Sequence, residues 1–125
     1  MSARTSKLRV AAVQAAPSFL NLEETVEKAC GLIIEAGTQG ADLIVFPEVF
    51  ISGYCHWLHY YPAGHPMSIN LNRELFKNAV EIPSPATDQL CEAARKSNAY
   101  VVMGINERRA GGVPGTLYNS MLFIH

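Results

Sequence analysis

A chain of 125 residues is the size of one ordinary domain. With 49% hydrophobic residues and a formal net charge of -1, it has neither the composition of a disordered segment nor the charge of a polyanion-binding surface. No apolar run approaches the ~18 to 20 residues of a membrane span, and the opening MSARTSKLRVAAVQAAP has too short and interrupted an apolar stretch for a secretory signal. The three cysteines, Cys30, Cys55 and Cys91, lack disulfide-framework spacing and form no CxxC pair, so a soluble, cytoplasmic α/β domain is the expectation.

Lys7 to Gln14 (KLRVAAVQ) predicts a short strand ending before Pro17. Asn21 then opens a helix, with Glu24 placed to close a capping box. Leu22, Val26, Ala29 and Ile33 recur on one face to about Ala36, and Gly37 and Gly40 end the helix. Asp42 to Phe46 (DLIVF) is a continuous apolar run bounded by Gly40 and Pro47, the pattern of a central strand covered on both faces. Residues 51 to 70 read as a loop rich in aromatics, His, Gly and Pro, and a short helix is expected from Asn72 to Val80. Ser84 caps a further helix with Pro85 at its first position, Leu90, Ala93 and Ala94 on its inner face, and Asn98 just past its end. Tyr100 to Ile105 is a third strand, AGGVPG a turn, and Leu117 to Ile124 a fourth strand. This alternation calls for a sheet with helices packed on it, leaving room on one face for a second sheet from outside the chain. The expected buried set is Val10, Ala12, Val26, Ile33, Leu43, Val45, Leu90, Val101 and Met103.

Glu48 stands just past the C-terminal end of DLIVF, and in open α/β sheets that edge gathers ligand sites and catalytic side chains. Pro47 stiffens the support beneath it. The alternatives are a solvated strand-end residue or, given the aromatics nearby, a general base in a partly desolvated pocket. Cys55, His56, His59 and His65 are capable metal ligands, but their spacing fits no standard zinc knuckle and no second ligand pair exists, so no metal is expected. GGVPG lacks the lysine and following helix of a phosphate loop and reads as a hairpin turn. Glu107, Arg108 and Arg109 could hold a substrate carboxylate, although structural ion pairing is the commoner fate. Cys30 and Cys91 lie in helix patterns beside apolar positions and read as packing thiols. Cys55, beside His56, stays open as a nucleophile or an ordinary thiol at a pocket rim.

The stretches RVAAVQAAP, GADLIVFPE, GINER (104 to 108) and GTLYNS (115 to 120) span essentially the whole chain, and on them it resembles the nitrilase (carbon-nitrogen hydrolase) superfamily. FPE followed by Gly53 and Tyr54 is most similar to the nitrilase branch. The resemblance implies that residues 1 to 125 are the N-terminal portion of one α-β-β-α sandwich domain of the nitrilase type that continues beyond His125. It implies that Glu48 is the general base of a Glu-Lys-Cys triad whose lysine and nucleophilic cysteine follow the YN strand, outside this chain. In that branch proline is common where Cys55 stands. An aromatic loop of His56, Trp57, His59, Tyr60 and Tyr61 would shape the pocket mouth, with Tyr54 and Trp57 nearest the chemistry. The implied reaction converts a nitrile to a carboxylic acid and ammonia through a thioimidate and a thioester, without metal or organic cofactor. The partners implied are a small nitrile or amide and further copies of the chain, with no nucleic acid and no membrane. An amidase or N-carbamoyl amide hydrolase on the same scaffold, and a non-catalytic α/β binding module, remain as alternatives.

Overall fold

The computed structural model describes residues 7–125. Four strands form one sheet in chain order: β1 (Val10–Ala12), β2 (Leu43–Val45), β3 (Tyr100–Glu107) and β4 (Tyr118–Ile124). The first three run parallel, and β4 returns antiparallel to β3 through the glycine-rich turn. Three helices connect them: α1 (Leu22–Thr38), α2 (Pro66–Lys77) and α3 (Pro85–Ser97). Among the described residues, no helix is long and apolar enough to cross a membrane.

Local chemistry sets the helix ends. Asn21 accepts from the Glu24 N–H at 3.1 Å, but its own N–H donates to the Ser18 carbonyl at 3.2 Å, so Glu24 does not close the expected box. The reciprocal box forms on α3 instead, where the Ser84 N–H donates to Thr87 Oγ1 at 2.9 Å and the Thr87 N–H to Ser84 Oγ at 3.4 Å. Asn98 ends that helix in the left-handed conformation, with φ of 48°. α2 begins at Pro66 rather than Asn72, because His65 Nδ1 accepts from the Met67 N–H at 3.1 Å and Pro66 takes the first helical position. It also ends earlier than Val80, whose N–H has left the helix to donate to the Asn106 carbonyl at 2.8 Å. Within the stretch expected to be loop, His56–His59 forms a single 3-10 turn.

α1 and α3 lie against one face of the sheet. Val26, Ala29, Ile33, Leu90, Ala93 and Ala94 pack there with Ile44, Val101, Met103 and Ile105, and all of these are buried. Strand residues of the opposite parity point the other way. Val10 is 52% exposed, Tyr100 61% and Phe123 74%. The expected burial therefore holds for Val26, Ile33, Leu90, Val101 and Met103. It does not hold for Val10 and Ala12, which are exposed, or for Leu43 and Val45, which are half-buried. The reason is the two-residue side-chain period of a strand with helices on one side only: within this chain DLIVF is covered on the Ile44 and Phe46 side and open on the other.

Candidate active site

The FPE segment leaves the sheet and rejoins it. The Phe46 N–H still bonds the Val102 carbonyl at 2.8 Å, after which Pro47, Glu48 and Val49 arch over Gly104 of β3. The chain returns at Ile51, whose N–H donates to the Gly104 carbonyl at 3.1 Å and whose carbonyl accepts from the Asn106 N–H at 2.6 Å. A Cβ on residue 104 would come within 2.6 Å of the Val49 nitrogen and closer still to the Pro47 carbonyl oxygen, so only glycine lets the arch lie this low. Val49 has φ of 41°, a left-handed conformation that costs a β-branched residue on the order of 1 to 3 kcal/mol. Its own burial and that of Phe50 and Ile51 hold it there.

Glu48 is at the top of this arch, over the open face, and is exposed. Asn119 Nδ2 donates to its Oε1 at 2.5 Å. Asn119 is on β4, directly opposite Asn106 on β3. Asn106 in turn donates through Nδ2 to the Gly53 carbonyl at 2.8 Å. Two asparagines side by side thus hold the two flanks of one segment, the carboxylate at one end and the turn leading to Tyr54 at the other. With Oε1 held, Oε2 has no hydrogen-bond donor among the described residues. This chain does not enclose the carboxylate, so the partly desolvated pocket expected around it is absent among the described residues.

Tyr54 is exposed, with its ring stacked on those of His56 and His59 at 6.3 and 6.1 Å and its hydroxyl 3.4 Å from His59 Nε2. Trp57 faces inward. It is 4% exposed, donates its indole N–H to Asn72 Oδ1 at 3.0 Å and meets Phe19 edge-on at 6.1 Å. The indole thereby ties the 3-10 turn to α2, and the structure brings Tyr54, but not Trp57, to the surface beside the Glu48 arch. Ser52, buried between the arch and Tyr54 in sequence, donates to the Asn78 carbonyl at the end of α2.

The remaining candidates are spread through the fold. Cys55 is half-buried at the foot of the 3-10 turn, and the partner of Glu48 is an amide rather than this thiol. His65 caps α2, and among the described residues no group of His, Cys, Asp and Glu gathers to hold a metal. Cys30 is half-buried with Sγ 3.6 Å from the Gln89 carbonyl, and burial pushes its thiol pKa up. Cys91 is exposed on the outer side of α3 rather than packed. Arg108 pairs with Glu81 at 2.9 Å, donates to the Phe76 carbonyl at 3.2 Å and lies over the Phe76 ring at 5.5 Å. Glu107 accepts from Ser120 Oγ at 2.6 Å. These two residues are committed to the scaffold, while Arg109 is exposed at the start of the glycine-rich turn.

Gly104, Asn106 and Asn119 belong to motifs visible in the sequence but carried no role there. The available signal is that asparagine is a poor strand residue, yet stands inside both strands of one hairpin. Pairing the two requires the register, which the length of the AGGVPG turn does not reveal.

The carbon-nitrogen hydrolase family profile matches residues 9–125. The chain is 37% identical over 119 residues to an arylacetonitrilase of Aspergillus oryzae, covering 95% of this chain and 33% of that protein. It is 41% identical over 107 residues to a nitrilase of Bacillus sp., covering 86% of this chain and 31% of that one. A solved CN-hydrolase superfamily protein from Xanthomonas campestris superposes with a TM-score of 0.66 at 18% identity, over 95% of this chain and 37% of that one, a likeness of fold alone. The chain spans about a third of the length of the curated relatives it matches.

Proposed function

This chain belongs to the carbon-nitrogen hydrolase family, and we propose that it supplies the general base, Glu48, of a nitrilase that converts a nitrile to a carboxylic acid and ammonia. The observation that carries this reading is the placement of Glu48: a carboxylate raised from the C-terminal end of a central parallel strand, with one oxygen fixed by Asn119 and the other free among the described residues. The lysine and the nucleophilic cysteine come, in this reading, from the two thirds of the relatives' length that the chain does not span.

Glu48 takes the proton of the cysteine thiol as the thiolate adds to the nitrile carbon and returns it to the nitrile nitrogen, giving a neutral thioimidate and a free carboxylate. Water adds to the thioimidate carbon, and ammonia leaves as the carbon–sulfur bond is kept, giving a thioester. Glu48 then draws a proton from a second water, which displaces the thiolate and releases the acid. The lysine ammonium stabilises the negative charge of the tetrahedral species. Tyr54, stacked with two imidazoles beside the base, forms one wall for the substrate's organic group, and Trp57 fixes that wall from beneath. Aromatic acetonitriles are the substrate class favoured by the arylacetonitrilase relative. The protein works as a homo-oligomer in the cytoplasm in this reading.

The test is ammonia release by the full-length protein carrying this chain, supplied with phenylacetonitrile or with phenylacetamide at equal concentration. Faster release from the nitrile is expected. Turnover of the amide with the nitrile untouched would make the protein an amidase, and silence toward both would favour a binding module.

A further inference from the structure

We propose that Asn119 is a positioning residue for Glu48, its side-chain amide setting the direction in which the carboxylate presents its free oxygen. The proposal rests on the general-base reading of Glu48. The Asn119 amide donates to Oε1 at 2.5 Å, and the donor is carried on β4 opposite Asn106, which clamps the Gly53 carbonyl at 2.8 Å. Between these points the main chain is pinned at Ile51 and pressed onto Gly104. The backbone under Glu48 is therefore fixed, but the side chain above it has rotatable bonds and is exposed. The Asn119 amide is the contact that fixes the carboxylate itself.

The two asparagines differ in what they hold. Asn106 bonds a main-chain carbonyl from a buried position, as a structural residue does. Asn119 is exposed, and among the described residues its side chain bonds one group, an ionisable side chain 71 residues away in sequence. An exposed hydrogen bond adds little to stability, whereas a base misdirected by an ångström loses rate steeply. Asparagine inside a strand is otherwise disfavoured, so its presence here is explained by what its amide holds.

The experiment uses the full-length protein with Asn119→Ala, Asn119→Asp, Glu48→Gln and the double variant Asn119→Ala/Glu48→Gln, following ammonia release from phenylacetonitrile and thermal unfolding. Misdirecting the base by up to about an ångström predicts that Asn119→Ala lowers kcat by about 10- to 100-fold. KM and the unfolding temperature stay close to those of the parent. Asn119→Asp keeps the shape but cannot donate, and it loses at least as much. In the Glu48→Gln background, Asn119→Ala causes no further loss, because there is no base left to direct. If Glu48→Gln is inactive while Asn119→Ala retains the parent kcat, the positioning role is overturned and the base reading stands. Additive losses in the double variant, or a kcat loss matched by a fall in unfolding temperature, overturn it as well. If Glu48→Gln keeps the parent rate, the base reading itself is overturned, and the positioning role with it.

Discussion

On one face of the sheet Ile44, Val101, Met103 and Ile105 are sealed beneath α1 and α3, while on the other Val10, Tyr100, Met121 and Phe123 stand more than half exposed. By register across the sheet the two sets occupy positions of opposite parity, and they are similarly apolar. Only the presence of helices separates them. The covered face holds the fold together, and the open face carries Glu48, Asn119 and the turn to Tyr54. Apolar character along a strand thus reports where cover belongs, not whether this chain provides it. The division also lets the site be altered with little risk to the core, because its side chains are not among the residues packed beneath the helices.

The comparison breaks most readily with one charge placed on each face. Ile44→Asp puts a carboxylate where no part of the residue is exposed, and the loss should be about 3 to 5 kcal/mol, enough to unfold a domain of ordinary stability. Phe123→Asp should change stability by about 0.5 kcal/mol or less in this chain, because the residue is 74% exposed. Urea titrations of the two variants would decide the matter, and equal losses would mean that the faces are not distinct in energy. Gly104→Ala should cost less than Ile44→Asp, about 1 to 3 kcal/mol, as the added methyl pushes up the arch. Because the arch carries Glu48, this change should also slow ammonia release by the full-length protein more than its stability loss accounts for, and a variant with unaltered kcat would show that arch height does not matter.

The smallest expected effect separates two thiols. Burial raises the Cys30 pKa from its ordinary value of 9.0, so the folded state holds that proton more tightly than the unfolded chain. The associated stability is present below the unfolded pKa and is lost as pH rises from there through the folded pKa. Exposed Cys91 should therefore react first with iodoacetamide at pH 8, and Cys30 should follow only slowly. Equal rates would indicate that the contact between α1 and α3 is looser than described.

Much of this organisation is legible in the residues. The caps at Asn21 and Ser84, the helix periodicity and the breakers around DLIVF place α1, α3 and the strands close to where they lie. The glutamate after an apolar strand and a proline marks the candidate site. What stays illegible has physical causes. A continuous apolar run has no period, so it does not say which of Leu43, Ile44 and Val45 faces the helices. His65 caps α2 through a ring nitrogen, outside the usual Ser, Thr, Asp and Asn vocabulary, so the residues alone suggest too late a helix start. Trp57 in an aromatic loop looks like a substrate contact until its indole N–H is seen to be taken by Asn72. The hold of Asn119 on Glu48 depends on strand register and spans 71 residues.

Whether the carboxylate of Glu48 does the proton transfer is decided by ammonia release by the full-length protein with Glu48→Gln. The amide matches the carboxylate in size but cannot accept the thiol proton. Turnover should fall by about 100- to 10,000-fold while the unfolding temperature and substrate binding are retained. Ammonia release near the parent rate from a folded Glu48→Gln protein would contradict the account.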